Sequence, residues 1–213
     1  MAKLDIPPAR LTATFLIACV GASLGTYVLL DQGALTVSAR LRFGDNLIEA
    51  VLHYLSFLTV LTNAMLVAVY IWFVSSGRLL RFMRHPSLHA FLAALIIIVG
   101  VVWHVMLRSE GMSLNTIYLH YVAPPLYLLW WTLRRPPQAP HYRGVSVLMA
   151  LPLGYAVWTL ARGAVTGSYP YGFVNVPEVG YGATLQMMGF LLATQWVLAL
   201  SFAAAGRLIA NRS

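Results

Sequence analysis

The stretch LHAFLAALIIIVGVVWHVML at residues 88–107 decides the fold, because it contains no Asp, Glu, Lys or Arg. A run of about 20 apolar residues is long enough to cross the hydrocarbon core of a bilayer as an α-helix. Five further charge-free apolar runs account for most of the remaining chain. The six predicted spans lie at roughly 11–30, 50–74, 88–107, 113–133, 145–161 and 180–206.

The composition of the 213-residue chain favours lipid as its solvent. Hydrophobic residues make up 60% of the sequence and charged residues only 9%, whereas soluble domains carry about 25% charged residues. We therefore predict an all-α membrane protein, a single domain over 1–213 built as a bundle of six transmembrane helices. The one cysteine, Cys19, excludes an intrachain disulfide and any metal site of several cysteines.

Lysine and arginine are distributed unequally between the two sets of predicted loops, and this bias sets the orientation of a membrane protein. One set holds ten of them: Lys3, Arg10, Arg78, Arg81, Arg84, Arg134, Arg135, Arg143, Arg207 and Arg212. The other set holds four, which are Arg40, Arg42, Arg108 and Arg162. Of the acidic residues, Asp5 lies with the first set, and Asp31, Asp45, Glu49, Glu110 and Glu178 lie with the second. Both termini are therefore predicted to face the cytoplasm, and the short loops fit a bacterial inner (plasma) membrane.

The net charge of +8 is explained by this loop bias and by contact with anionic membrane lipids. No basic stripe interleaved with exposed aromatic residues occurs, so we expect no nucleic-acid partner. Gly21 and Gly25 form a small-xxx-small pair, which predicts close helix packing either within the bundle or in a homodimer. Gln186 and Gln195 predict interhelical hydrogen bonds. The tryptophans near span ends fit interfacial aromatic residues: Trp72, Trp103, Trp130, Trp131 and Trp158.

Two of the predicted spans carry a polar stripe. At about 100° per residue, the stripe of the second span covers an arc of roughly 120° and that of the fourth an arc of roughly 80°. The first stripe is Glu49, His53, Ser56, Thr59 and Asn63, and the second is Ser113, Thr116, His120, Pro124 and Tyr127. We expect both stripes to face the bundle interior, because lipid does not solvate polar groups. Pro124 also removes the helical hydrogen bond to the carbonyl of His120.

Three histidines fall inside predicted spans and away from their cytoplasmic ends, where ionisable residues are costly and indicate function. They are His53, His104 and His120, whereas His85, His89 and His141 are expected in or near cytoplasmic loops. The three histidines allow a non-enzymatic protein that binds haem, a metal, a lipid or a quinone, although they form no i,i+4 metal pair. A small-solute transporter is a further alternative.

Three segments in order resemble a known family. They are FLTVLTN at 57–63, LHYVAPPLYLL at 119–129, and VTGSYPYGF at 165–173 followed by GYG at 180–182. Together they resemble the androgen-induced and androgen-dependent family of multispan membrane proteins and its bacterial relatives. The resemblance covers most of the chain, from the second span to the sixth.

The resemblance implies an intramembrane hydrolase of lipid esters, such as fatty acid esters of hydroxy fatty acids. It implies a threonine nucleophile and a histidine base at Thr59 and His120, with a lipid substrate, no cofactor and no metal. The animal members have an acidic residue four positions after the threonine, where this chain has Asn63.

We expect Asn63 to supply an oxyanion donor or to orient the couple, and Thr59 and His120 to meet in the outer half of the bilayer. Candidates for the rim of the site are His53, Ser56, His104, Pro124 and Tyr127. The loop with Tyr169, Tyr171 and Phe173 is expected to lie at the interface or to cover the site.

Overall fold

The computed structural model describes residues 8–108, 111–134 and 138–210, and within them every regular element is a helix. The α-helices are α1 Pro8–Arg42, α2 Leu47–Tyr54, α3 Leu58–Val74, α4 Pro86–Val102, α5 Leu114–Ile117, α6 Ala123–Arg134, α7 Tyr142–Leu148, α8 Ala150–Thr166 and α9 Val176–Ala210. Two 3₁₀ turns lie at Arg81–Arg84 and Gly172–Val174, and two π turns lie at Trp103–Leu107 and Tyr118–Val122. The predicted all-α class is confirmed.

Four helical segments are long and apolar enough to cross a membrane, namely Pro8–Arg42, Pro86–Leu107, Tyr142–Thr166 and Val176–Ala210. The bent pair α2 and α3 makes a fifth if it counts as one span. The predicted fourth span is helical from Leu114 to Arg134 but is not among them. Its tyrosine, tryptophan, proline and histidine residues lower its mean hydropathy.

Large apolar side chains are exposed along the outer helices, as lipid-facing helices require. Examples are Leu30 on α1, Val157 on α8 and Phe190 on α9, which are 70%, 62% and 65% exposed. The long apolar helices and these exposed faces are compatible with an integral membrane protein. Five residues that entered the orientation argument lie outside the described residues: Lys3, Asp5, Glu110, Arg135 and Arg212.

The second predicted span is broken rather than continuous. α2 ends at Tyr54, α3 begins at Leu58, and the two helices meet at an angle of 75°. The stripe predicted on one helix face is therefore divided between two axes, with Glu49 and His53 on α2 and Thr59 on α3. The prediction that these residues share one arc of a single helix was wrong, because it assumed an unbroken helix.

Helix α4 lies at the centre of the bundle and contacts α3, α6, α7 and α9. Alanines line its contact with α9, where Ala90, Ala94, Ala199 and Ala203 are fully buried. Small side chains let two helices approach closely in a membrane.

The Gly21 and Gly25 pair serves the same purpose between α1 and α3. A Cβ atom on Gly25 would lie 2.7 Å from Val67, and one on Gly21 would overlap the ring of Tyr70. The close packing predicted for this pair therefore occurs inside the bundle.

The two glutamines of α9 differ. Gln195 is buried and its Nε2 donates to the carbonyl of Phe91 on α4 at 3.2 Å, so its predicted interhelical hydrogen bond is confirmed. Gln186 is exposed on the same helix.

The predicted fifth span, which begins at 145 and contains Pro152, is longer than expected. α7 and α8 together form a helical segment of 25 residues, Tyr142–Thr166. Pro152 lies in the first turn of α8, where a proline removes no hydrogen bond that the helix needs.

Candidate functional site

The break between α2 and α3 places Thr59 in the first turn of α3. Backbone groups freed by a break inside a membrane must find other partners. Two tyrosines supply them here, since Tyr155 donates its hydroxyl to the carbonyl of Ser56 at 2.8 Å and Tyr171 accepts from the N–H of Leu58 at 2.8 Å. The break is therefore stabilised by specific hydrogen bonds. It places Thr59 at the start of α3, beside the positive end of the helix dipole.

Thr59 also differs from most other threonines of the protein in its hydrogen bond. A membrane threonine usually donates to the carbonyl four residues earlier, and several threonines here do so: Thr12, Thr14, Thr132, Thr166, Thr184 and Thr194. Thr59 Oγ1 instead lies 3.3 Å from Nε2 of His120. The two side chains meet within the 4 Å that a catalytic couple requires.

His120 lies in the π turn Tyr118–Val122. This turn precedes Pro124, which has no backbone N–H to donate to a helical hydrogen bond. Its Nδ1 is 2.9 Å from the carbonyl of Thr116. A carbonyl oxygen only accepts, so Nδ1 carries the proton in the neutral ring and Nε2 keeps its lone pair. That lone pair faces the Thr59 hydroxyl. The ring is therefore in the tautomer that a general base needs.

Two residues lie against His120, namely Gly100 of α4 and Trp103 of the π turn that follows α4. The Trp103 ring stacks on the imidazole with ring centroids 4.3 Å apart and an interplanar angle of 21°. A Cβ atom added at Gly100 would lie only 2.9 Å from the carbonyl oxygen of His120. The π turn and α4 can approach this closely because residue 100 has no side chain.

Asn63 lies one turn after Thr59 and is 2% exposed. Its Nδ2 donates to the carbonyl of Thr59 at 2.9 Å and to the carbonyl of Leu119 at 3.4 Å. Both donors of the amide are therefore engaged, and Asn63 lines neither cavity next to the couple. Its geometry suits the orienting role, since it ties α3 to the π turn of His120, and does not suit an oxyanion donor.

The couple lies between two cavities of different character. The apolar cavity runs between α4, α8 and α9 and is lined by Leu95, Val99, Tyr155, Met188, Leu192 and Gln195, among others. The second cavity opens towards α1 and is lined by Gln32, Thr36, Tyr54, Phe57 and Thr116, among others. Its lining is mostly apolar as well, and it is called the polar cavity because it is the more polar of the two. Five residues line both cavities: Thr59, Trp103, Leu107, His120 and Tyr171.

Two hydrogen-bond donors border the couple. The Tyr171 oxygen is fixed at the start of α3 by the Leu58 N–H, and burial raises the pKa of its hydroxyl above the ordinary 10.0, so the hydroxyl keeps its proton at neutral pH. The Trp103 Nε1–H is buried and has no acceptor among the residues that the structure describes. From its position in the sequence, Trp103 was expected at the membrane interface, and Tyr171 was expected either at the interface or over the site.

The five residues proposed for the rim line neither cavity. Ser56 and His53 lie at the break, where the Ser56 hydroxyl donates to the His53 carbonyl at 2.6 Å. His104 is exposed, with Nδ1 3.1 Å from the hydroxyl of Tyr121. Pro124 contacts the α4 backbone at Gly100. Tyr127 is fully buried against His89, beyond the site.

The three histidines that were predicted inside membrane spans do not converge. His53 faces Ser168 at 3.4 Å, His104 faces Tyr121, and His120 faces Thr59. Within residues 8–108, 111–134 and 138–210, no group of three or more His, Cys, Asp or Glu side chains could hold a metal ion. A shared haem or metal site built from these three histidines has no support in this geometry.

His89 contradicts the expectation that it lies in or near a loop. α4 begins at Pro86, so His89 falls in the first turn of that helix. It is fully buried beside the rings of Trp72 and Trp130.

Comparison with known proteins yields no matching family model, no matching curated protein and no matching solved structure. The functional assignment therefore rests on the residues and the geometry of the site.

Proposed function

We propose that the protein is an intramembrane hydrolase of lipid esters, with Thr59 as nucleophile and His120 as general base. The observation that carries this proposal is the distance of 3.3 Å between Thr59 Oγ1 and His120 Nε2, with the opposite ring nitrogen bonded to a backbone carbonyl. This arrangement is the geometric requirement for an activated hydroxyl. The family resemblance of the sequence supports the same two residues.

The first half of the reaction forms an acyl-threonine. His120 Nε2 takes the proton of Thr59 as Oγ1 bonds to the carbonyl carbon of the ester. The carbonyl π electrons move to oxygen and give a tetrahedral oxyanion. When the oxyanion collapses, the bond to the alcohol oxygen breaks and His120 donates its proton to that leaving oxygen.

The second half releases the acid. Water attacks the acyl-threonine carbonyl while His120 accepts its proton, and the second tetrahedral intermediate collapses with return of the proton to Thr59 Oγ1. Water reaches the couple from the polar cavity, where Gln32, Thr36 and Thr116 supply hydrogen-bonding groups.

The oxyanion needs donors aimed at the developing charge. We assign this role to the Tyr171 hydroxyl and the Trp103 indole N–H, because both side chains line both cavities beside Thr59. The start of α3 adds the positive end of its dipole. This assignment replaces Asn63, whose amide is engaged with two carbonyls.

The two cavities give the substrate an orientation. The acyl chain occupies the apolar cavity between α4, α8 and α9, and the alcohol part occupies the polar cavity towards α1. An ester of two long chains, such as a fatty acid ester of a hydroxy fatty acid, fits this division.

We also propose that the chain crosses the membrane six times with both termini in the cytoplasm, in a bacterial inner membrane, with the couple in its outer half. The bias of ten to four in loop Lys and Arg supports this topology. Accessibility labelling in intact cells tests it: residue 81 should be protected from external reagent and residues 166–178 should react. Reaction of residue 81 with the external reagent would contradict the proposed orientation.

Hydrolysis is tested with a chromogenic long-chain ester and two variants at one position. Thr59→Ala should lose turnover by about 10³-fold or more, because the nucleophilic oxygen is deleted. Thr59→Ser should keep measurable turnover, because it keeps the hydroxyl. Wild-type turnover by folded Thr59→Ala would exclude this mechanism.

A further inference from the structure

A buried amide whose acceptor oxygen has no partner among the described residues lies at the end of the apolar cavity away from Thr59. Gln195 is 2% exposed and lines the cavity. Its Nε2 is fixed by the carbonyl of Phe91 at 3.2 Å. Its Oε1 is buried and has no hydrogen-bond partner among the residues that the structure describes.

The surroundings of this amide are otherwise apolar. Leu95 and Val99 of α4 and Leu191 and Leu192 of α9 line the same part of the cavity. Four other polar or aromatic side chains of the cavity contact the couple or the helix break beside it, namely His120, Trp103, Tyr155 and Tyr171. Gln195 is therefore isolated from the catalytic couple and serves none of its steps.

A buried amide oxygen without a partner costs free energy unless a bound group satisfies it. An amide oxygen accepts only, so the group that matches it must carry a donor. A hydroxyl is the donor that a lipid chain can carry into an apolar cavity. A plain methylene chain leaves Oε1 unsatisfied, and a keto or ester group places two acceptors together.

We propose that Gln195 is a specificity residue that recognises a hydroxyl group on the acyl chain of the substrate. The inference rests on the proposed hydrolase, whose acyl chain occupies this cavity. The substrate class thereby narrows to esters of hydroxylated long-chain acids.

The position of the hydroxyl follows from the length of the cavity. Leu95 of α4 and Trp103 of the π turn that continues it both line the cavity. They are eight positions apart, which corresponds to a helical rise of about 12 Å. The hydrocarbon of one bilayer leaflet is about 15 Å thick, half of the ~30 Å core. The recognised hydroxyl thus lies towards the methyl end of a long chain, far from the ester carbonyl.

The test compares chromogenic esters that share one chain length and differ only in the presence and position of a single hydroxyl. The wild-type protein should favour one distal position over the plain chain by about two- to tenfold in kcat/KM, the value of one neutral hydrogen bond. Gln195→Leu should bring this ratio close to one. Gln186→Leu is the matched control, because Gln186 is exposed on the same helix, and should keep the wild-type ratio.

A second variant and a second readout keep the test decisive. Gln195→Met removes the amide with little change in volume, and it replaces Gln195→Leu if that variant does not fold. Thermal stabilisation of the purified protein by the free hydroxy acids and plain acids measures chain recognition without hydrolysis.

Turnover with no preferred hydroxyl position, or a preference retained in both Gln195 variants, would overturn the Gln195 assignment and leave the hydrolase standing. A preference in thermal stabilisation that is lost in the Gln195 variants, without turnover of any ester, would support the chain site and exclude the hydrolase.

Discussion

Two contacts between a histidine ring and a hydroxyl have nearly the same length but different surroundings, and only one of the two has the surroundings of an active site. His120 Nε2 lies 3.3 Å from the hydroxyl of Thr59, and His89 Nδ1 lies 3.2 Å from that of Tyr127. The two distances are nearly equal. The contact between ring nitrogen and hydroxyl therefore does not distinguish catalysis from structure.

The difference lies around the pairs. His89 and Tyr127 are both 0% exposed and pack among the rings of Trp72, Tyr70 and Trp130, and neither lines a cavity described above. Thr59 and His120 border two cavities. The cavities leave space beside Thr59 and His120, whereas aromatic side chains surround His89 and Tyr127.

The backbone differs in the same way. His89 lies in the regular helix α4, whereas Thr59 follows a helix break and His120 lies in a π turn. Irregular backbone in a membrane is costly and is tolerated where it is buried in protein or lines a cavity. The site lies where the helices are broken, and the regular part of the bundle supports it.

The largest effect should separate the two histidines. His120→Ala should lower ester turnover by about 10²–10⁴-fold, the contribution of a general base, with little change in melting temperature. His89→Ala should keep turnover and lower the free energy of unfolding by about 2–5 kcal/mol, because it opens a hole in the aromatic core.

Steady-state kinetics and thermal melting in detergent measure the two effects, and His89→Gln provides a milder variant if the alanine variant does not fold. Equal losses of turnover in folded His89 and His120 variants would remove the distinction between the pairs.

The next effect concerns two tyrosines. Tyr171→Phe should lower kcat by about 10²–10³-fold, the cost of losing one oxyanion donor. Tyr127→Phe should leave kcat near the wild-type value and cost about 1 kcal/mol of stability, because it loses only a structural hydrogen bond. Tyr155→Phe controls for the helix break, since Tyr155 also satisfies a backbone group there. If Tyr155→Phe lost kcat and Tyr171→Phe kept it, the assignment of Tyr171 as the oxyanion donor would be wrong.

A smaller effect is expected from glycine 100. A Cβ there would meet the carbonyl of His120 at 2.9 Å and must displace the π turn. Because a misplacement of 1 Å can cost 10²-fold, Gly100→Ala should lower kcat/KM by about tenfold. Gly154→Ala is the matched control, since no atom lies within 4 Å of its Cβ position. Equal kinetics for the two variants would show that the close approach does not position His120.

The smallest effect should come from Asn63. Asn63→Leu loses two hydrogen bonds to backbone carbonyls, so stability should fall by about 1–2 kcal/mol and turnover by only about threefold. A loss of 10²-fold or more in kcat with unchanged stability would instead restore Asn63 as an oxyanion donor.

The all-α class and the approximate positions of the long helices could be predicted from the sequence, because long apolar runs without charged residues are typical of membrane-spanning helices. It did not predict the break before Leu58. No proline or glycine lies between Tyr54 and Leu58, and the groups that stabilise the break, Tyr155 and Tyr171, are distant in the chain.

The same limit applies to the site. Thr59 and His120 were predictable as a pair, because both lie on the polar stripes and the family resemblance points to the same two residues. Trp103, Tyr155 and Tyr171 were not, since aromatic residues near span ends are ordinary in membrane proteins. The assumed continuous helices also placed Tyr127 with the site, whereas the π turn before it changes the helical register.

The central claim is that Thr59 is an activated hydroxyl, and mapping a fluorophosphonate adduct by mass spectrometry tests it most directly. The folded wild-type protein should carry the adduct on Thr59, His89→Gln should label like the wild type, and His120→Ala should label far more slowly. A folded wild-type protein that stays unlabelled, or that carries its adduct on another residue, would contradict the account.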